Sequence, residues 1–149
     1  MDRPADLDAC IAAAHACAIA CERCATACLA EPDPGAMARC IQLDLDCAQL
    51  CRVVASYLAR DSENAKLLCE DCAEICDRCA GECERHPHEH CRACAQACRA
   101  CMQACLKMAQ APIDEAAMAA AGPGPVSAAR GPSRRAGPSR RRRSAAPRR

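Results

Sequence analysis

The chain has 149 residues and a formal net charge of +1; 52% of it is hydrophobic by type, yet aromatic residues make up only 1%. Leu, Ile and Val number seventeen together, which excludes an ordinary core of large apolar side chains and by itself would suggest disorder. Eighteen cysteines are left to fill an interior, and free Cys packs as a small hydrophobe.

The first predicted helix runs from about Ala5 to Ala30, with Asp6 and Asp8 in the first turn, where a carboxylate complements the helix dipole. It carries Cys10, Cys17, Cys21, Cys24 and Cys28. Spacings of three, four and seven place all five on one face. Pro32, Asp33, Pro34 and Gly35 break it. Asp33 as N-cap and Pro34 at the first helical position start the second helix, which reaches about Ala59 and carries Cys40, Cys47 and Cys51.

Asp61 or Ser62 supplies the next N-cap. The third helix continues to about Arg85 with Cys69, Cys72, Cys76, Cys79 and Cys83. Pro87 opens the fourth, which ends near Gln110 before Pro112 and carries Cys91, Cys94, Cys98, Cys101 and Cys105. The third and fourth helices share one pattern, Cys-x2-Cys-x3-Cys-x2-Cys-x3-Cys, which reads as an internal repeat; the first carries a looser version and the second a thinned one. Each helix is expected to be roughly 23–26 residues, about 35–39 Å long.

Connections of a few residues make consecutive helices antiparallel neighbours. The expected fold is all-α: an antiparallel up-down-up-down four-helix bundle with a cysteine-lined core over residues 1–111. Residues 112–149 form a basic tail rich in Ala, Gly, Pro and Arg, expected to be disordered. It contains the near-copies Gly131-Pro132-Ser133-Arg134-Arg135 and Gly137-Pro138-Ser139-Arg140-Arg141. Residues 130–149 hold nine arginines and no acid, leaving eleven bases against nineteen acids elsewhere, a net of −8. Such a cationic arm could bind nucleic acid, an anionic surface, or the acidic body of another copy.

No apolar run is long enough to span a membrane and the N-terminus lacks a signal-peptide layout. Both favour the cytoplasm, where thiols stay reduced. A disulfide framework fits poorly: a bond between i and i+4 of one helix staples nothing across the fold, and disulfide-dense domains are short and loop-rich.

Seven adjacent pairs are Cys-x3-Cys and five are Cys-x2-Cys, all inside predicted helices. Structural zinc is commonly held by knuckles on loops, and iron–sulfur motifs wrap a compact cluster from loops. Paired thiols on a helix can bridge an ion in a near-linear geometry, which suits Cu(I), a metal that soft thiolate selects along with Zn and Fe–S. Charge points the same way. Eighteen ionised thiols would hold about −18, and roughly four tetrahedral zinc ions at four thiolates each would leave about −10 buried. Buried unpaired charge is costly, and about one Cu(I) per thiolate leaves the core near neutral.

Extrapolating each stripe at 100° per residue puts Asp44 on the cysteine face of the second helix, with Met37 near its edge. Met102 falls inside the fourth stripe, where the plain reading is core filling. His15 points outward. Met37, His86, His88 and His90 gather at one end of the bundle as a candidate metal mouth. Leu7, Leu58, Leu67, Leu68 and Leu106 gather at the other as a plug. The plain reading of the three histidines is a solvated loop; that of Asp44 is harder to sustain, because an unpaired buried carboxylate is expensive.

Three stretches carry a family resemblance: Cys40-Ile41-Gln42-Leu43-Asp44-Leu45-Asp46-Cys47-Ala48-Gln49-Leu50-Cys51, the run from Cys69 to Cys83, and His86-Pro87-His88-Glu89-His90-Cys91-Arg92-Ala93-Cys94. Over roughly residues 8–110 the chain resembles the four-helix-bundle copper storage proteins, specifically the cytosolic branch. The resemblance implies multiple Cu(I) ions along the bundle axis, mouth ligands beyond Cys, and a homo-oligomer, a tetramer. The Arg-rich tail departs from that pattern. The expected function is therefore cytosolic storage of Cu(I), with no catalysis, since no nucleophile–base–orienter set stands out. The alternatives are a zinc-binding or iron–sulfur protein, or an interaction module acting through its basic tail.

Overall fold

The computed structural model describes residues 4–110; the expected tail, 112–149, lies outside them. Four helices follow in order: α1 (Ala5–Leu29), α2 (Ala38–Ala59), α3 (Ala65–Cys83) and α4 (Glu89–Gln110), with a 3₁₀ turn at Pro34–Met37 before α2. There is no strand among the described residues. Each helix packs on two neighbours, α1 on α2 and α4, α3 on α2 and α4, while the backbones of the diagonal pairs stay apart and touch only through side chains at the bundle axis, as Cys51 on α2 does with Cys101 on α4. This is the up-down-up-down square expected from the short connections. No helix among the described residues is long and apolar enough to cross a membrane.

The helix boundaries differ from the sequence reading at three places. Asp33 does cap, its carboxylate accepting the Ala36 N–H at 3.3 Å. The capped residues wind as a 3₁₀ turn, so α2 proper begins four residues later than expected, at Ala38. Asp61 does not start α3; it ends α2. Its φ of 51° is left-handed, its N–H donates to the Leu58 carbonyl at 3.1 Å, and the Ser62 N–H donates to the Tyr57 carbonyl at 3.0 Å. That is a Schellman closure, with Asp in the αL position often given to Gly or Asn. Ser62 behaves as expected in one respect, since its hydroxyl accepts the Asn64 N–H at 3.2 Å.

The third difference lies at the mouth. α3 stops at Cys83 rather than Arg85, and α4 starts at Glu89 rather than Pro87. The N–H groups of Arg85 and His86 turn back to the carbonyls of Glu82 and Cys83 at 3.1 Å each. Pro87 disfavours helical backbone at the residue before it, so the turn that follows Cys83 does not continue as helix through His86.

All eighteen cysteines are buried with no exposed surface. Alanines lie beside them on the same faces (Ala14, Ala18, Ala48, Ala55, Ala73, Ala80, Ala95), and these small side chains let the helices approach closely. The plug at the far end is Leu7, Val54 and Leu58, with Leu68 partly buried against them. Leu67 and Leu106 face outward instead, because at about 100° per residue Leu67 falls on the side of α3 opposite Cys69 and Cys76, and Leu106 turns off the α4 stripe beside Cys105. On the outside, Arg52 holds Glu22 through two hydrogen bonds of 2.5 and 2.9 Å between α2 and α1, and Lys107 on α4 reaches Asp6 on α1 at 3.1 Å. Exposed pairs of this kind contribute little each.

Candidate metal centre

The inward cysteines form a continuous column of sulfur. At the plugged end Cys10 and Cys105 are 3.9 Å apart. Next, Cys51 meets Cys72, Cys76 and Cys101, each at 3.8 Å. In the middle, Cys17 is 3.7 Å from Cys47 and 3.6 Å from Cys98, and Cys21 is 3.6 Å from both Cys94 and Cys98. Toward the mouth Cys40 lies 3.6 Å from Cys83 and 3.9 Å from Cys28. These are van der Waals contacts, far above the ~2.05 Å of a disulfide, and every thiol is free.

Buried groups of four ligand atoms, all within 4.8 Å of one another, recur along the column: Cys17, Cys51, Cys76 and Cys101; Cys21, Cys79, Cys94 and Cys98; Cys24, Cys28, Cys40 and Cys91; and Cys24, Cys40, Asp44 and Cys83. With sulfur–metal bonds of roughly 2.3 Å, a tetrahedral or trigonal site needs sulfurs about 3.8–4.0 Å apart and a linear bridge about 4.6 Å. The contacts therefore suit bent or trigonal sharing as they stand. A linear bridge requires a pair to open by about half an ångström or more.

Asp44 is fully buried within this column. Its Oδ1 accepts from the thiols of Cys79 and Cys94 at 3.2 Å each and Cys83 at 3.7 Å; its Oδ2 accepts from Cys40 at 3.9 Å. Burial, reinforced by the sulfurs of Cys94 and Cys79, pushes its carboxyl up to about 10. Burial likewise raises the thiols of Cys28 and Cys91, the latter to about 11. Metal-free, Asp44, Cys28 and Cys91 hold their protons at neutral pH.

The structure separates the mouth residues that the sequence grouped together. His90 touches the column: its Nδ1 lies 3.7 Å from the sulfur of Cys24, 3.8 Å from Cys28 and 3.5 Å from Cys91. His88 stacks on His90 with ring centroids 5.2 Å apart and planes at 6°, and its Nδ1 faces Glu31 at 3.5 Å. His86 turns to Glu82, with Nε2 3.1 Å from Oε1. Met37 is buried in the core at the end of the 3₁₀ turn. Met102 is only half buried, its sulfur accepting from Arg99 at 3.8 Å, so it edges the stripe rather than entering it. His15 is exposed as expected.

Two carboxylates at the mouth escaped the sequence reading. Glu82 is nearly buried and accepts from Arg39 at 2.6 Å as well as from His86. Burial raises its carboxyl, but His86 and Arg39 outweigh that and leave it below the ordinary range. Glu31, just past the end of α1, accepts the His90 Nε2–H at 2.9 Å, and that bond holds its carboxyl low. Glu82 carries a weak signal, lying between Cys79 and Cys83 on α3. Glu31 carries none, since it falls in a loop.

A fully buried column of free thiols inside a four-helix bundle defines a protein built to sequester soft metal ions, and no loop-borne zinc knuckle occurs among the described residues. The chain belongs to the copper storage protein (Csp) family, whose profile matches residues 3–110. Among solved structures, it is similar to a cytosolic copper storage protein from Streptomyces lividans carrying five coppers, at 40% identity over 72% of this chain and 94% of that one, TM-score 0.70. It is also similar to the Cu(I)-bound copper storage protein BsCsp3, at 41% identity over 70% and 98% of the two chains, TM-score 0.67. The apo copper storage protein 3 of Bacillus subtilis matches at 41% identity over 68% and 97%, TM-score 0.63. No match was found among curated protein sequences.

Proposed function

We propose that this protein stores Cu(I) in the cytoplasm, on the thiolates of its bundle core, without catalysis. The observation that carries this is the column itself: eighteen cysteines, all fully buried and all free, in continuous sulfur contact. Each Cu(I) that replaces a thiol proton leaves the local charge unchanged, so the column can fill without accumulating the buried charge that burial penalises. The ligands are the eighteen cysteines with Asp44 inside the column and His90 and Met37 at its top. His86 and His88 line the approach. The cytosolic Streptomyces lividans relative with five coppers and the Cu(I)-bound BsCsp3 support this reading. The family resemblance of the sequence implies assembly as a homo-oligomer, a tetramer, which sedimentation of the full chain tests.

The buried groups of four cysteines favour one rival, a zinc protein. Anaerobic titration against a Cu(I) chelator separates the two. Storage predicts loading on the order of eighteen ions per chain, about one per thiolate, as a colourless product. Saturation near four ions, with Zn(II) displacing Cu(I), overturns it.

A further inference from the structure

The imidazole of His90 is held from both sides, and the two sides are chemically different. Its Nδ1 faces three sulfurs, those of Cys24, Cys28 and Cys91, at 3.5–3.8 Å. Its Nε2 faces one carboxylate oxygen of Glu31 at 2.9 Å. We propose that Glu31 is a positioning residue for copper binding: by accepting the Nε2–H it fixes the His90 tautomer and turns the Nδ1 lone pair onto the three sulfurs. The top of the thiol column thereby becomes a mixed nitrogen–sulfur site for a soft monovalent ion. This rests on the storage reading above and adds to it a residue outside the cysteine stripes.

The argument runs through the proton. An ionised carboxylate can only accept, so the ring nitrogen 2.9 Å away must donate. In a neutral imidazole the other nitrogen is then a bare lone pair. Metal-bound histidines commonly have their second nitrogen fixed in this way by a carboxylate, and loss of such a partner typically costs about 10–100-fold in metal affinity.

Two further features keep Glu31 and His90 in register. The Glu31 N–H donates to the Cys28 carbonyl at 3.2 Å and the Ala30 N–H to that of Ala27 at 3.1 Å, so the backbone of Glu31 is tied to the last turn of α1, which also carries Cys28. On the open side, the parallel ring of His88, 5.2 Å away, limits how far His90 can swing outward, and its Nδ1 faces the same Glu31 oxygen at 3.5 Å. Glu82, the other mouth carboxylate, serves His86 and Arg39; it is not interchangeable with Glu31.

The test uses the full chain labelled with ¹⁵N-histidine, reduced and metal-free, as wild type, Glu31→Gln and Glu31→Ala. Wild type is expected to show His90 with Nε2 protonated and Nδ1 bare. Glu31→Gln, which keeps an acceptor oxygen, retains that signature. Glu31→Ala gives nitrogen shifts averaged between tautomers. In the loaded proteins, transfer of the mouth ion to a chelator becomes about 10–100-fold easier in Glu31→Ala, and Glu31→Gln restores most of the difference. In a His90→Ala background, Glu31→Ala has no further effect. A His90 protonated at Nδ1 in wild type, a fixed tautomer surviving in Glu31→Ala, or an added effect without His90 each overturns the proposal. Failure of the chain to take up Cu(I) at all would overturn the storage reading instead, and the nitrogen spectra of the metal-free protein would still decide the tautomer.

Discussion

Oδ1 of Asp44 on α2 lies 3.2 Å from the sulfur of Cys94 on α4, and the same oxygen lies 3.2 Å from the sulfur of Cys79 on α3. One carboxyl thus links three helices inside a column otherwise made of thiols. Burial raises it from the ordinary 3.8 to about 10. In the metal-free protein between those values the folded chain keeps a proton that the unfolded chain releases. Stability therefore falls as pH rises across that window, with a slope of at most about 1.4 kcal/mol per pH unit for this group. Asp44→Asn removes the titration and should flatten the profile. Urea unfolding of reduced, metal-free wild type and variant, compared between about pH 5 and pH 9, checks this; identical slopes would mean that Asp44 contributes nothing to the pH dependence.

The metal-free bundle should be folded. Its core is close-packed thiol and alanine with no orphaned polar side chain among the described residues, and reduced Cys packs as an apolar group. It should differ in this from a zinc finger, which is unfolded without its metal. Circular dichroism of the reduced, metal-free chain is expected to be strongly helical; a random-coil spectrum would show instead that metal drives folding. Helix α3 offers a sharper check. A Cβ added at Gly81 meets nothing within 4 Å, so Gly81→Ala should stabilise the protein by roughly 0.5–1 kcal/mol through helix propensity alone.

The mouth histidines should divide by role. His86 and His88 face Glu82 and Glu31 rather than sulfur, whereas His90 faces three thiols. Replacing His86 and His88 by Ala should slow Cu(I) loading and removal while leaving capacity unchanged. Adding His90→Ala should also weaken retention of the outermost ion. Stopped-flow transfer from and to a Cu(I) chelator reads both; unchanged rates in all variants would reduce the histidines to loop residues.

The sequence revealed the bundle and its column for one physical reason: cysteine spacing of three and four is helical periodicity written in a single residue type, so every stripe identified its own inward face. Asp44 was legible for the same reason, since it occupies a position of the stripe. What was not legible lay where periodicity stops. Asp61 reads as an N-cap because Asp commonly caps, yet a left-handed C-terminal residue was needed there and Asp tolerates that conformation. Pro87 reads as a helix start, but its stronger effect is on His86 before it. Glu31 follows the last cysteine of α1 by three residues in a loop, where no wheel assigns a direction. Leu67 was grouped with the plug by its height along the bundle, although its helical phase sets it opposite the cysteine stripe of α3.

The tail poses a separate question, because its nine arginines lie outside the described residues and the family profile ends at residue 110. Every cysteine precedes it, so removing residues 122–149 should leave Cu(I) capacity unchanged. If a segment of nine arginines without acids, carried by a body of net charge −8, engages nucleic acid, it does so through phosphate neutralisation. Such binding is independent of base sequence and weakens steeply with salt, through counterion release. Gel-shift or filter retention of a random-sequence duplex at low salt, with full-length and truncated chains side by side, tests that binding. Retention by the full-length chain alone, lost as salt is raised, is the expected result if the tail engages nucleic acid. Equal retention by the two forms would exclude that role and leave the arginines to an anionic surface or to the acidic bundle of a second copy.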